Sequence, residues 1–248
     1  MMVRLLLCLA LAFCAAPAFA QFRFYVGGSI GGLHLDSDFS EQVSNAHAGD
    51  VVPPADVRAE MSRKTGGRVF GGFRFTPMFA IEVDYVDLGE VATGYTTFAN
   101  QLTPLPDNLT GRSFATWEHT TRPSGFGISL LATIPVTQDL GVVARGGAAR
   151  VRSEIRGQVT TFIPTVNNVT APGVVQFTPV SVGPTEREIT QTIGVAGLGL
   201  EYRLNERVSL RGTWDRYFGV GKSVDPNSAE ARGKHDIDLF AIGITFGF

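Results

Sequence analysis

Eight stretches of this sequence alternate large apolar residues with small or polar residues, a period of two that is typical of β-strands. None contains proline, and each is close to the roughly 9–11 residues that a tilted strand needs to cross a bilayer. The pattern therefore predicts an all-β fold. The stretches are Phe22–Leu35, Thr65–Phe75, Phe79–Leu88, Gly125–Ile134, Leu140–Arg150, Gln191–Arg203, Val208–Tyr217 and Ile237–Phe248.

The links between these segments alternate in length. Short turns with the sequences "TPM", "PVTQD" and "LNER" join segments two to three, four to five and six to seven, and the other links are long. Short turns at one end and long loops at the other are the plan of an outer-membrane β-barrel. The longest link contains "VTTFIPTV" and "VVQFTPVSV", which predict that segments five and six continue as a hairpin beyond the membrane.

Alternation alone does not decide which face of the strands meets lipid, because a soluble lipocalin-like barrel also alternates, with its apolar face inside. Here the charged face carries arginine and carboxylates but no lysine, although lysine is usual on a solvated surface. Arginine suits buried ion pairs, so we expect an apolar face toward lipid and a charged interior. The charged strand residues are Arg68, Arg74, Glu82, Asp84, Arg145, Glu201, Arg203, Arg211 and Asp215.

An eight-stranded barrel is just wide enough to be filled by its own side chains. Unpaired buried charges are costly, so we expect the interior charges to bond one another. The sequence therefore predicts a filled barrel without an open water channel. An ion or proton path along the same charges is the alternative.

The first twenty residues have the plan of a secretory signal peptide, with a basic start, an apolar run and small residues before a cleavage point after Ala20. We expect a mature domain of residues 21–248, exported to the cell outer membrane. Both cysteines, Cys8 and Cys14, precede that point, so no disulfide is expected. The formal net charge of −2 gives no indication of nucleic-acid binding.

Four parts of the chain together resemble the OmpA-type transmembrane domain family, small outer-membrane β-barrels of Gram-negative bacteria. They are "FYVGGSIGG", "GGRVFGGFRFTPMFAIEVDYVDLGE", "GLGLEYRLNERVSLRGTWDRY" and the final "LFAIGITFGF". The resemblance implies an eight-stranded antiparallel up-and-down barrel with short periplasmic turns and long extracellular loops. It also implies that the barrel-assembly machinery reads Gly243, Phe246 and Phe248 as a signal. Nothing follows Phe248, so we expect no periplasmic peptidoglycan-binding domain.

Evidence for chemistry in the sequence is weak. Ser37 with His34, Asp36 and Asp38, or His119 with Glu118, could form a hydrolytic group at the outer rim, but their spacing matches no motif. We expect no enzyme, metal or cofactor.

The outer leaflet of such a membrane carries anionic lipopolysaccharide. Arg150, Arg152 and Arg156 near the outer strand ends are candidate contacts for its phosphates. We therefore expect a structural and surface-interaction scaffold for envelope integrity, adhesion or shielding, with loop partners unknown. A small transport barrel is the first alternative, and an outer-leaflet lipid-modifying enzyme is the second.

Overall fold

The computed structural model describes residues 24–106, 109–166, 174–221 and 234–248. The predicted signal peptide and its cleavage point after Ala20 lie outside them. The described residues form one helix, α1 (Phe39–Ala46), and twelve strands. The strands are β1 (Phe24–Asp36), β2 (Ala55–Arg63), β3 (Thr65–Arg74), β4 (Phe79–Asp87), β5 (Glu90–Phe98), β6 (Thr103–Pro104), β7 (Thr110–Gly111), β8 (Phe114–Pro135), β9 (Leu140–Val166), β10 (Val175–Arg203), β11 (Val208–Gly221) and β12 (Lys234–Gly247).

Eight of the strands close into an antiparallel barrel in the order β1-β3-β4-β8-β9-β10-β11-β12. Strand β1 closes it by pairing with β3 on one side and with β12 on the other, from Tyr25 opposite Gly247 to Asp36 opposite Asp236. The C-terminal strand β12 thus lies between β1 and β11 and presents no free edge. The predicted eight-stranded up-and-down barrel is confirmed.

The two faces of the barrel strands are arranged as the composition predicts. Outward side chains are large and apolar, with Ile30, Phe240 and Ile242 exposed by 72%, 54% and 73%. Inward side chains such as Glu82 and Leu239 are fully buried. A lipocalin-like arrangement would place the apolar face inside, so the exposed apolar band favours the membrane barrel.

The three short turns lie at one end of the barrel, and each is fixed by a side-chain oxygen. Thr76 Oγ1 accepts the backbone N–H of Phe79 at 2.9 Å, and Thr137 Oγ1 accepts that of Leu140 at 3.0 Å. Asn205 Oδ1 accepts the N–H of Val208 at 2.9 Å. Hydroxyl and amide side chains commonly stabilise turns by such local bonds.

At the other end, five strands continue past the barrel as a sheet that we call the outer sheet. Strands β8, β9 and β10 simply run on, and β9 pairs with β10 as far as Val166 opposite Val175, which confirms the predicted hairpin extension. Strands β2 and β5 extend β3 and β4 after a bend, where Gly89 has a φ of 76°. The tip of the longest link, residues 167–173, lies outside the described residues.

The eight predicted stretches lack proline, but the strands of the structure run beyond them and include prolines in the extensions. Pro123 lies in β8 between Thr121, which pairs with β5, and Ser124, which pairs with β4. Its carbonyl accepts the N–H of Leu88 at 3.0 Å in the bend between those strands. In an antiparallel strand the N–H and C=O of a residue point to the same neighbour. The missing N–H of Pro123 therefore faces the bend, where the ladder is interrupted.

The link between β1 and β2 contains helix α1. Its Phe39 and Val43 are buried against Tyr95 of the outer sheet, with Val57, Ala59 and Trp117 at the edge of the cluster. The helix therefore packs against the outer sheet. The described residues include no helix long and apolar enough to span a membrane.

Candidate functional site in the barrel interior and at the outer mouth

The inner half of the barrel encloses a cluster of eight buried charges contributed by five strands. Four are arginines and four are carboxylates, so the formal charges cancel. All eight are at most 8% exposed. They are Arg68, Arg74, Glu82, Asp84, Arg145, Glu201, Arg211 and Asp215.

Arg211 is at the centre of this cluster. Its guanidinium reaches Glu82 Oε2 at 2.8 Å and Glu201 Oε2 at 3.1 Å. Glu201 is also held by Arg74 at 2.7 Å and by the Ser209 hydroxyl at 3.0 Å. Two carboxylates on β4 and β10, which are separated by two other strands in the barrel wall, are thus joined across the interior by one guanidinium.

A second set of ion pairs connects to the first. Arg145 reaches Asp84 at 2.7 Å and Asp215 at 3.2 Å. Arg68 lies between the two sets, 3.4 Å from Glu82 and 3.7 Å from Asp215. Every charge of the cluster therefore has an opposite partner, as buried charges require.

Arg203 was also expected among the interior charges, and the structure places it at the turn end of the barrel. It is the last residue of β10, is only half-buried, and its backbone N–H donates to Asp139 O at 2.8 Å. The alternation along β10 does place the Arg203 side chain on the same inward face as Glu201, as the sequence predicts. The residue nevertheless lies at the turn end of the barrel, because β10 stops there.

Two aromatic residues complete the cluster and were not singled out from the sequence. The Tyr25 hydroxyl donates to Glu82 Oε2 at 3.2 Å. The Arg211 guanidinium lies 5.6 Å from the Tyr25 ring centre and 5.1 Å from that of Phe70, within cation–π range. The alternation of the strands could have identified both residues, because each directly follows an apolar residue that faces outward and so must itself face inward.

The outer half of the interior is apolar, although the charged strand residues alone predicted a charged interior. Asp84 is followed outward by Val86 of β4 and by Leu88 just after that strand, and on β11 Asp215 is followed by Tyr217. We call the buried layer that they join the apolar plug. Its members are Leu33, Met61, Val86, Leu88, Val91, Ala149, Val151, Ile193, Val195, Tyr217, Val220, Ile237, Leu239 and Ala241.

Little space remains beside the charges. The cavity lined by Arg68, Arg145, Arg211 and Asp215 has a volume of about 10 Å³. That is room for about one water molecule at most. Side chains of the charge cluster thus fill most of the space around this cavity.

Helix α1 is fixed to the barrel rim by contacts with the start of β12. The Gln42 side chain donates to Lys234 O at 2.8 Å and accepts the Lys234 N–H at 3.0 Å. Ser37 Oγ and His235 Nδ1 are 2.6 Å apart. Burial lowers the pKa of His235 to about 4, although the carboxylate of Asp236 acts in the opposite direction.

The candidate hydrolytic residues are not brought together. His34 is exposed, and Ser37 meets His235 instead while its hydroxyl accepts the Phe39 N–H at 3.2 Å, as in a local turn. His119 is buried, whereas Glu118 is exposed on the opposite face of β8 and pairs with Arg58 at 2.7 Å. No cluster of metal-ligating side chains occurs in the part of the chain that the structure describes.

The three candidate lipopolysaccharide contacts lie on the outward face of β9. All are exposed, but two are engaged in surface ion pairs. Arg152 meets Glu188 at 2.6 Å, and Arg156 meets Glu186 at 3.2 Å. Arg150 lies closest to the membrane band, opposite Phe126 of β8.

The family model described as "Outer membrane protein beta-barrel domain" matches residues 6–248. This chain belongs to the outer-membrane β-barrel protein family. Membership implies a location in the outer membrane, and the long-loop end of the barrel is the extracellular end.

Several solved outer-membrane proteins are similar to the chain in fold. Neisserial surface protein A is 15% identical, with 91% of this chain and 97% of that chain covered and a TM-score of 0.39. OprG from Pseudomonas aeruginosa is 11% identical, with 92% of this chain and 96% of that chain covered and a TM-score of 0.42. The attachment invasion locus protein Ail of Yersinia pestis is 7% identical, with 92% of this chain and 99% of that chain covered and a TM-score of 0.38. No curated protein matches the chain.

Proposed function

We propose that this protein is a sealed structural barrel of the outer membrane that holds a rigid sheet outside the cell for surface contacts. The observation that carries this proposal is the two-layer filling of the interior. Paired charges occupy the inner half and the apolar plug occupies the outer half.

The filling argues against the transport alternative. An ion entering from outside would first have to displace Leu33, Val86 and Leu239, which pack together in the apolar plug. Desolvating an ion in such a layer is costly. The arginines beyond it are held by carboxylates at 2.7–3.7 Å and do not line an open lumen.

The outer sheet has the features of a stable contact surface. Its outward face is crossed by ion pairs, and its far end carries an aromatic group. The Phe114 and Phe162 rings stack at 4.5 Å, with Phe177 at 5.3 Å and Phe98 at 6.2 Å from Phe114. Five hydrogen-bonded strands hold these side chains in place, so adhesion or shielding requires little ordering on contact.

We further propose two interactions in the envelope. Lipopolysaccharide phosphates are contacted by Arg150, with Arg152 and Arg156 free to exchange their exposed carboxylate partners. Phe248, 77% exposed, and Phe246, 44% exposed, present the assembly signal on the lipid-facing side of β12. Gly243 faces Ser29 so closely that an added Cβ would lie 2.6 Å from the serine Cβ.

Conductance tests the sealed-barrel proposal directly. The purified barrel, refolded into planar lipid bilayers, is expected to give no stable single-channel current. A reproducible open level of large conductance would refute the proposal. A companion assay compares lipid A before and after expression, and an unchanged lipid A profile is expected for the wild type and for His235→Ala.

A further inference from the structure

A groove with a volume of about 730 Å³ crosses the lipid-facing surface of β12, β1, β3 and β4. This volume is in the range of about 300–1,000 Å³ that is typical of small-molecule sites. Its floor includes the outward glycines Gly28 and Gly67. Gly28 lies between Val69 of β3 and Ile244 of β12 in the strand register.

Packing of the barrel does not require a glycine at position 28 of this floor, whereas at Gly67 an added Cβ would lie only 3.1 Å from Ser29 O. At the inward Gly27, an added Cβ would lie 2.5 Å from the Phe70 ring, so that position admits no side chain. At Gly28 the nearest atoms, Arg68 O and Val69 Cγ1, would be 3.7 Å and 3.9 Å from an added Cβ, which is an ordinary contact. Glycine weakens a strand and often marks the close approach of a ligand.

One end of the groove is polar and lies at the extracellular end of the barrel wall. Arg63 and Asp87 form an ion pair there, with Arg63 Nη2 2.6 Å from Asp87 Oδ1. Arg63 also donates to Thr65 O at 3.4 Å. A guanidinium has five N–H donors, so three donors of Arg63 remain after these two contacts. The side chain is 44% exposed.

The charge balance around this end favours an anion. Glu90 is engaged by Arg122 and by the Ser62 hydroxyl, which donates to it at 2.9 Å. Lys64 is exposed immediately after Arg63. Arg63 and Lys64 thus stand beside one carboxylate, Asp87, where the apolar groove meets the outer membrane surface, while Arg122 lies between Glu90 and Glu154, its partner in the strand register.

We propose that this groove binds one molecule of lipopolysaccharide, with an acyl chain over Gly28 and Gly67 and a lipid A phosphate at Arg63. Apolar contact alone gives no preference for the groove within a bilayer, because lipid tails are as apolar as the wall. The preference comes from close packing on a floor without side chains, together with charge-assisted hydrogen bonds at one end. The inference requires the barrel to be in the outer membrane and is independent of what the outer sheet contacts.

The test is native mass spectrometry of the delipidated, folded barrel in detergent, titrated with hexa-acylated lipid A. The wild type is expected to retain one lipid A. Gly28→Leu fills the floor and Arg63→Gln removes the cation, and each is expected to weaken retention about tenfold. Arg63→Gln changes an exposed side chain outside the apolar band, so it remains informative if Gly28→Leu folds poorly.

Two variants elsewhere serve as matched controls. Gly146→Leu adds the same side chain at another outward glycine, where nothing lies within 4 Å of an added Cβ. Arg58→Gln removes another exposed, carboxylate-paired arginine. Both should bind lipid A as the wild type does.

Three results would overturn the proposal. They are full retention of lipid A by Gly28→Leu or Arg63→Gln, equal loss in the two controls, and equally tight retention of phosphatidylglycerol by the wild type. The last result would assign the groove to anionic lipids in general rather than to lipopolysaccharide.

Discussion

Replacing Arg211 with methionine tests whether the buried charges hold the barrel together. Arg211 is 3% exposed and bonds two carboxylates, Glu82 at 2.8 Å and Glu201 at 3.1 Å. Methionine fills much of the same volume but leaves these carboxylates short of a cation. Removing one partner from a buried ion pair typically costs about 3–5 kcal/mol.

The remaining partners of the two carboxylates place the expected loss near the lower limit of that range. Glu201 keeps Arg74 at 2.7 Å, and Glu82 keeps Arg68 at 3.4 Å and the hydroxyl of Tyr25 at 3.2 Å. We therefore expect Arg211→Met to lower the free energy of unfolding by about 3 kcal/mol. Adding Glu82→Gln should recover about 1–3 kcal/mol through coupling of the pair.

The assay is equilibrium unfolding by urea of the barrel in lipid vesicles, followed by tryptophan fluorescence and heat-modifiable gel migration. The matched control is Arg152→Met, which breaks the exposed ion pair with Glu188 and should cost less than about 1 kcal/mol. Equal losses in Arg211→Met and the control would refute the reasoning, and so would the absence of recovery in the double variant.

Further predictions concern the rim, the outer leaflet and assembly. The neutral, buried His235 has a pKa of about 4, below the ordinary value of about 6.5. When α1 is detached, His235 regains its ordinary pKa, so the detached state binds a proton as the pH falls from 6.5 to 4 and the docked state does not. The free energy of α1 docking should therefore become less favourable by about 3 kcal/mol over that range. Hydrogen exchange in α1 measures this, and a pH-independent rate of opening would contradict it. Charge reversal of Arg150, Arg152 and Arg156 should reduce co-purifying lipopolysaccharide, and unchanged co-purification would remove those contacts. Phe248→Asp should lower the outer-membrane yield, whereas normal insertion would count against the assembly signal.

The barrel could be predicted from the sequence because the same local constraint acts on every residue of every strand. Each strand must present one face to lipid and one to the interior, so the period of two is imposed at every step. The exposure of Ile30 and Ile242 and the burial of Glu82 follow directly. The preference for arginine over lysine identified the charged face as the interior one.

The outer sheet was only half predicted, because side chains outside the membrane are less constrained. Strand β2 alternates Val57, Ala59 and Met61 with charged residues, but one small residue among three makes that pattern weak. The bend at Gly89 also interrupts the continuity with β4. The meeting of Ser37 with His235 joins positions 198 residues apart in sequence, which no spacing rule could anticipate.

The apolar plug explains how a sealed barrel and a rigid outer sheet are connected. Leu33, Val86 and Leu239 come from barrel strands, whereas Met61 comes from β2 and Val91 from β5 of the outer sheet. Side chains from both parts pack in one layer, and close-packed layers transmit displacement because they have few voids. The sheet is therefore held at the mouth by buried side chains as well as by its strand ladders. Under the proposed function, the layer that excludes ions from the interior is also the layer that fixes the contact surface outside the cell.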